Sequence, residues 1–186
     1  NFSANYKPDP TGYEDEIQSI FASAELSWKN QLYLTVTGRN DWDSKLAFSK
    51  QKSFFYPSVG LSALLSEMVK LPEVISYAKI RGSYTVVASS FDRFLTNPGY
   101  EYNSQTHNWA NPTVYPMDNM KPEKTKSWEI GLNLKFWGNR FNLDATYYRS
   151  NTLNQTFKVD IPSSSGYKQA IVQAGNVQNQ GIELAL

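Results

Sequence analysis

The residues that could carry out chemistry are few and scattered. The chain of 186 residues contains no cysteine and a single histidine, His107. A nucleophilic serine is activated by a base such as histidine, and zinc sites draw on histidine and cysteine ligands. His107 has no such partner, so the sequence predicts a solvated loop residue. Glu25, Glu129 and Glu183 lie in separate segments, and their spacing does not define the carboxylate pair of a glycosidase. We therefore predict no enzymatic activity, catalytic residue, metal or cofactor.

A second set of residues is suited to recognition. The stretch NPGYEYNSQTHNWANPTVYPMDNM, residues 97–120, places four large aromatic residues among asparagines and glutamines: Tyr100, Tyr102, Trp109 and Tyr115. Aromatic faces offer rigid apolar contact area, and amide side chains donate and accept hydrogen bonds. This composition suits contact with a glycan or with a partner protein. The alternative is a loop whose aromatic rings only bury one another.

Composition excludes several classes of protein. The hydrophobic content is 40% and the aromatic content is 15%, which is too much apolar surface for a disordered chain. The net charge of +1 gives no indication of a nucleic-acid partner held by phosphate contacts. No apolar run reaches the roughly 18 residues of a membrane helix. A transmembrane strand remains possible, because it needs only about 9–11 residues, half of which face water.

Seven segments alternate apolar and polar residues, which predicts β-strands. In the hairpin KSWEIGLNLKFWGNRFNLDATYYRS, residues 126–150, every second side chain from Trp128 to Phe136 is apolar and the others are polar. The other segments lie at residues 17–28, 32–39, 55–65, 78–86 and 182–186. We predict tight turns at Lys29-Asn30 and Gly138-Asn139, and a short helical turn between Ser66 and Ile75.

The connections alternate between short and long. We predict three long polar loops, at 42–53, 89–123 and roughly 152–174. Tight turns at one end of the strands and long loops at the other are typical of transmembrane β-barrels, and aromatic residues cluster near the predicted tight turns. The strand from Lys124 to Phe136 would span about 43 Å at about 3.3 Å per residue. Periodicity alone also allows a β-sandwich, with its apolar face on a second sheet. That fold would correspond to a soluble carbohydrate-binding or adhesion module at the cell surface.

Several blocks together resemble a known family. LTVTGRNDWDS, FFYPSVGLSALLSE, YAKIRGSYTVV, KPEKTKSWEIGLNLKFWGNRFNLDATYYRSNTLNQ, IPSSSGY and AGNVQNQGIELAL are similar, in order and spacing, to the barrel of SusC/RagA-type TonB-dependent outer-membrane transporters of the Bacteroidetes. The resemblance runs from about Ile17 to Leu186. Many members have Gly-Ser-Ser after the aspartate of RND, whereas Trp42, Asp43 and Ser44 follow Asp41 here, which leaves the substrate open.

The resemblance implies a fold, a location and partners. The expected fold is all-β, an antiparallel up-and-down meander of about seven long strands within a 22-stranded transmembrane β-barrel in the cell outer membrane. The resemblance also implies import of oligosaccharides or peptides, a SusD-like lipoprotein lid, and energy from the TonB complex. On this interpretation residues 1–186 are an excerpt of the barrel domain with a leading loop at 1–16. The plug domain, the TonB box, the closing strands and any targeting signal would lie outside it.

Overall fold

The computed structural model describes residue 12 and residues 14–92, 94–103, 105–117 and 119–186. Most of the predicted leading loop, 1–11 and 13, therefore lies outside the described residues. The described strands are β1 (Ile17–Trp28), β2 (Leu32–Asp43), β3 (Ser53–Leu64), β4 (Ile75–Ser89), β5 (Glu101–Asn103), β6 (Asn108–Ala110), β7 (Val114–Tyr115), β8 (Glu123–Phe136), β9 (Phe141–Asp160) and β10 (Gln169–Ala185). One helix, α1 (Leu65–Met68), and 3-10 turns at Ser44–Leu46 and Ser163–Ser165 complete the description. No helix of this part of the chain is long and apolar enough to span a membrane.

Both predicted tight turns are confirmed. Lys29 and Asn30 have φ of 50° and 55°, the left-handed pair that matches the twist of a short hairpin. At the second turn Gly138 and Asn139 have φ of 64° and 68°. The ring of Trp137 packs against Phe141, with the ring centroids 5.4 Å apart. This places an aromatic cluster at the turn, as the sequence predicts.

The seven long strands form one antiparallel sheet in the order β1-β2-β3-β4-β8-β9-β10, and short β7 pairs in parallel with the start of β10. The register confirms the predicted faces. On β8 and β9, Ile130 lies opposite Tyr147 and Leu132 opposite Ala145, whereas Glu129 and Asn133 lie opposite Tyr148 and Asp144. Apolar residues therefore share one face of the sheet and polar residues share the other.

The apolar face of the sheet has no protein layer over it. The side chains of Leu61, Ile130 and Leu184 are 53%, 52% and 71% exposed. Within the described residues the only other sheet is the small β5-β6 hairpin. The β-sandwich interpretation is therefore wrong for this part of the chain, because a sandwich would bury this face against a second sheet.

The positions of the tight turns indicate that the strands are tilted. Leu32, which begins β2 after the first turn, is in register with Leu132 through β3 and β4. Phe136, which ends β8 at the other turn, lies about 13 Å further along that strand at about 3.3 Å per residue. Three strand spacings of about 4.8 Å separate β2 from β8. If both turns lie at the same height along the barrel axis, these two distances give a strand tilt of about 40° from that axis. Strands of transmembrane barrels are tilted by about 35–45°.

Several boundaries differ from the predictions, and two of them change the description of the fold. The predicted long loop at 152–174 is wrong, because β9 continues to Asp160 and β10 begins at Gln169. These segments pair beyond Asn154 and Gly175, both of which have positive φ, and neither face of the two segments is wholly apolar. The helical turn is confirmed but begins at Leu65, which the alternation had placed in the preceding strand. The predicted 89–123 loop contains β5, β6 and β7.

Candidate solute-contact surface

The polar face of the sheet carries a hydrogen-bonded charge network. Arg81 on β4 binds the Asp144 carboxylate on β9 with both terminal nitrogens, at 2.9 and 3.1 Å. Arg81 also donates to Thr146 Oγ1 at 2.7 Å, and Asn133 Nδ2 donates to Asp144 Oδ2 at 2.9 Å. The bidentate geometry fixes the guanidinium across β8, which separates β4 from β9. Gly131 on β8 makes this possible, since a Cβ there would lie 2.6 Å from Arg81 Nε.

A second network lies nearer the long-loop end of the sheet. Arg39 Nε donates to Asp41 Oδ1 at 2.8 Å, and a second guanidinium nitrogen donates to Ser19 Oγ at 3.0 Å. The hydroxyl of Tyr56 donates to the other oxygen of Asp41. Asp41 is buried, and its carboxylate is satisfied by these donors. The two networks together give the polar face fixed charges and hydroxyls along most of the strand length.

The acidic residues weighed in the sequence lie on this same face but on different strands. Glu129 on β8 and Glu183 on β10 border the polar groove that Ser83, Thr146 and Tyr148 also line. Glu25 on β1 lies at the far side of the sheet. Among the described residues no group of three or more histidine, aspartate or glutamate side chains is placed to bind a metal ion.

Residues of two connections pack against residues of β3 and β10 at the long-loop end. The hydrophobic core consists of Leu46, Phe54, Phe91, Met120 and Ile171. Leu46 is 0% exposed and Met120 is 1% exposed. We call these five residues the loop core. Because Phe54 shares its face with Asp41 and Tyr56, the loop core lies over the polar face. The loops are therefore packed across the end of the polar surface.

Hydrogen bonds hold residues 113–115 and Lys121 against the start of β10. Gln173 accepts from the Lys121 backbone N–H and donates to the Lys121 carbonyl, both at 2.7 Å. Lys168 N donates to Thr113 O at 2.8 Å, next to the parallel pairing of β7 with Gln169 and Ala170. Backbone bonding of this kind gives the segment a defined position on the sheet.

The four predicted aromatic contact residues separate into three places. Tyr102 and Trp109 come together across the β5-β6 hairpin, with ring centroids 5.1 Å apart. They remain 48% and 68% exposed. Tyr115 instead packs edge-on against Tyr167, with ring centroids 5.1 Å apart. Tyr100 is 66% exposed and borders an open apolar groove of about 400 Å³ with Phe94, Leu95, Pro98, Pro112 and Val114.

His107 lies at the same hairpin. It is exposed, as the sequence predicts, and its Nδ1 lies 3.1 Å from the Tyr102 hydroxyl. The Asn103 side chain accepts from the backbone N–H groups of Gln105 and Thr106, which shapes the turn. Sequence reasoning missed Tyr167, which follows Gly166 in a separate loop and gave no signal of its contact with Tyr115.

These observations define a class of protein. A single sheet with an exposed apolar face, a charged opposite face, tight turns at one end and packed loops at the other is a segment of a transmembrane β-barrel wall. The model of the family described as TonB dependent receptor-like, beta-barrel, matches residues 1–186. The chain belongs to this family of outer-membrane proteins.

Individual relatives agree with this assignment. The chain is 27% identical over 188 residues to TonB-dependent receptor P3 of Formosa agariphila, covering 95% of this chain and 19% of that protein. It is 26% identical over 183 residues to TonB-dependent receptor SusC of Bacteroides thetaiotaomicron, covering 90% and 18%. The fold matches a chain of the RagAB peptide importer in its open-open state with a TM-score of 0.78 and 19% identity, covering 91% and 19%. The chain thus spans about a fifth of the length of these relatives.

Proposed function

We propose that this chain forms part of the wall and extracellular loops of an importer that moves oligosaccharides or peptides across the outer membrane. Transport is driven by the TonB complex and assisted by a SusD-like surface lipoprotein. The observation that carries the proposal is the pairing of an apolar face open to lipid with a polar face under packed loops. Such a wall conducts a solute and does not need to transform it.

The proposed orientation follows from the connections. The tight turns at Lys29-Asn30 and Gly138-Asn139 face the periplasm, and the loop core lies outside the cell. Residues 1–186 are then an excerpt of one barrel domain with a leading loop at 1–16. The intact protein closes a 22-stranded barrel with further strands and carries an N-terminal plug and a TonB box. Both edge strands of this sheet, β1 and β10, pair with those further strands, because an exposed strand edge is prone to aggregation.

The exposed loop aromatics are the proposed contact points for the solute or for the lipoprotein. Tyr102 and Trp109 present a rigid pair of rings at a hairpin tip, and Tyr100 presents its ring beside an apolar groove. Rings of this kind stack on sugar rings or pack against the side chains of a peptide. Tyr115 is the weakest of the four candidates, since Tyr167 already covers part of its ring.

The proposal predicts that the hairpin pair contributes to uptake. In the full-length receptor, we expect Tyr102→Ala with Trp109→Ala to reduce uptake about tenfold at limiting solute, since one aromatic contact contributes about 0.5–1.5 kcal/mol beyond its buried area. Growth on single oligosaccharides or peptides identifies the solute, and its labelled form then measures the uptake rate. Co-purification of the lipoprotein, measured in parallel, distinguishes lid contact from solute contact.

The matched control is Phe48→Ala. Phe48 is also an exposed aromatic residue of a long-loop connection, at 69% exposure, but lies outside the hairpin. We expect it to leave uptake and lipoprotein binding unchanged. Unchanged uptake and unchanged co-purification in the hairpin variant would show that the Tyr102–Trp109 pair only stabilises its own loop. A deletion strain that imports every tested solute normally would contradict the proposed transport function itself.

A further inference from the structure

The apolar face of the sheet, here called the outward face, changes from apolar to basic residues toward the long-loop end of β8 and β9. On β8 the outward residues from Phe136 to Trp128 are all apolar, and the next two are Lys126 and Lys124. On β9 the outward residues are apolar from Phe141 to Tyr147, and the next is Arg149. We call Lys124, Lys126 and Arg149 the outer basic patch. On two neighbouring strands, these three cations come directly after the apolar residues, toward the long-loop end of the sheet.

The height of the patch follows from the strand geometry. From Phe136 to Trp128 the strand covers about 26 Å at about 3.3 Å per residue. At an inclination of about 40°, this corresponds to about 20 Å along the membrane normal, close to the apolar band of about 25 Å. Arg149, which is opposite Trp128, and Lys126, two residues further along β8, therefore lie at the edge of the apolar band, next to the level of the lipid headgroups. Trp128 and Tyr147, with ring centroids 5.3 Å apart, lie at the boundary between the apolar residues and the basic patch.

The patch is free to bind an anion. The ion pairs among the described residues use Arg39, Lys45 and Arg81, and none uses a member of the patch. Lys126 is exposed. Arg149 donates one hydrogen bond to Gln178 Oε1 at 2.7 Å, and its other guanidinium N–H groups can bind an anion. Among the described residues, no carboxylate shares this face near the patch. Its neighbours across β4, β9 and β10 are Val86, Ala88, Asn151, Leu153, Asn176, Gln178 and Gln180.

The neighbouring amides indicate what kind of anion fits. Asn151 Nδ2 donates to Asn176 Oδ1 at 2.9 Å, and Gln178 Nε2 donates to Gln180 Oε1 at 2.9 Å. These side chains form a polar shelf beside the cations at the same headgroup level. Amide groups bond sugar hydroxyls, whereas lysine and arginine bind phosphate. A ligand with both groups is a phosphorylated glycolipid.

We propose that the outer basic patch binds the phosphorylated sugar headgroup of a glycolipid in the outer leaflet. Lys126 and Arg149 bind the phosphate, Lys124 adds long-range attraction, and the amide shelf contacts the sugar. The inference rests on the orientation proposed above, with the long loops outside the cell. It concerns the lipid-facing surface, so it is independent of which solute passes through the lumen.

The test uses the full-length receptor in a non-ionic detergent and monophosphorylated lipid A as the probe. We expect wild type to bind lipid A saturably and more weakly as salt is added. The double variant Lys126→Gln with Arg149→Gln should bind about 30-fold more weakly, since each cation near a charged lipid contributes about fivefold. The control variant, Lys79→Gln with Lys135→Gln, removes the same charge from the polar face and should bind within twofold of wild type. Dephosphorylated lipid A should bind wild type as weakly as it binds the patch variant.

Three results would overturn the proposal. They are equal binding of the phosphorylated and dephosphorylated lipid, equal loss in the patch and control variants, and phosphatidylglycerol binding as tightly as lipid A. The last result would mean that the amide shelf contributes nothing to recognition. Solute uptake by the patch variant is measured alongside. Wild type that takes up solute normally but does not bind lipid A would refute the patch alone, whereas absent uptake in wild type would refute the proposed function.

Discussion

Leu132→Arg in the full-length receptor is expected to block barrel assembly. Leu132 lies on the apolar face between Ile80 and Ala145, midway between the aromatic residues Phe136 and Trp128. An arginine at the middle of the bilayer on a barrel's lipid face costs about 2–4 kcal/mol. We expect receptor in the outer-membrane fraction to fall severalfold, and the remaining protein to lose its heat-modifiable mobility on a gel.

The matched variant is Asn133→Arg, one residue further along the same strand. Asn133 faces the polar side and donates to the Asp144 carboxylate at 2.9 Å, so an introduced guanidinium would lie beside an existing acceptor. We expect assembly near the wild-type level. Equal tolerance of both arginines would show that the apolar face does not contact lipid.

Leu46→Ala is expected to loosen the long loops without affecting the barrel. Leu46 is fully buried in the loop core with Phe54 and Met120. Truncating a buried leucine to alanine costs about 2–5 kcal/mol, depending on how far the site collapses. Segments 44–52 and 90–122 should then be cut by added protease on intact cells and should exchange amide hydrogens faster. Heat-modifiable mobility should stay normal, because Leu46 contributes nothing to the strand pairing.

Phe48→Ala serves as the control in the same loop. Its side chain is exposed, and its removal leaves no cavity. Unaltered protease resistance in Leu46→Ala would contradict the packed-loop account. Equal sensitivity of Phe48→Ala would indicate that the loop is loose in the wild type.

The sequence predicts the strand segments within the membrane because one face of each segment contacts lipid and the other contacts water. Between Trp128 and Phe136 one face meets lipid and the other meets water, so the side chains must alternate. The pattern ends where both faces meet water. Residues 151–160 and 169–180 therefore keep neither face wholly apolar, and their pairing was missed although they continue β9 and β10. Only the register with the neighbouring strand defines these extensions.

The contact surface was harder to predict, for a related reason. Tyr102 and Trp109 meet because the hairpin register places them opposite each other. Tyr115 and Tyr167 meet only through the parallel pairing of β7 with β10. The loop core joins Leu46, Phe91 and Met120, single apolar residues in polar stretches far apart in sequence. Such contacts depend on how the loops pack over the sheet. The spacing of residue types within a single segment does not predict this packing.

The central claim is that alternate residues of one strand face lipid and an aqueous lumen. These 186 residues contain no cysteine. Single cysteines at 127–130 and 132–135 of the assembled receptor, with any cysteine elsewhere replaced by serine, can carry a nitroxide spin label, and Gly131 is left out because a Cβ there would clash with Arg81. The account predicts collision rates that alternate with a period of two. Labels at 128, 130, 132 and 134 should collide mainly with oxygen dissolved in lipid, and those at 127, 129, 133 and 135 mainly with a water-soluble nickel chelate. A uniform collision profile along the strand would contradict the account.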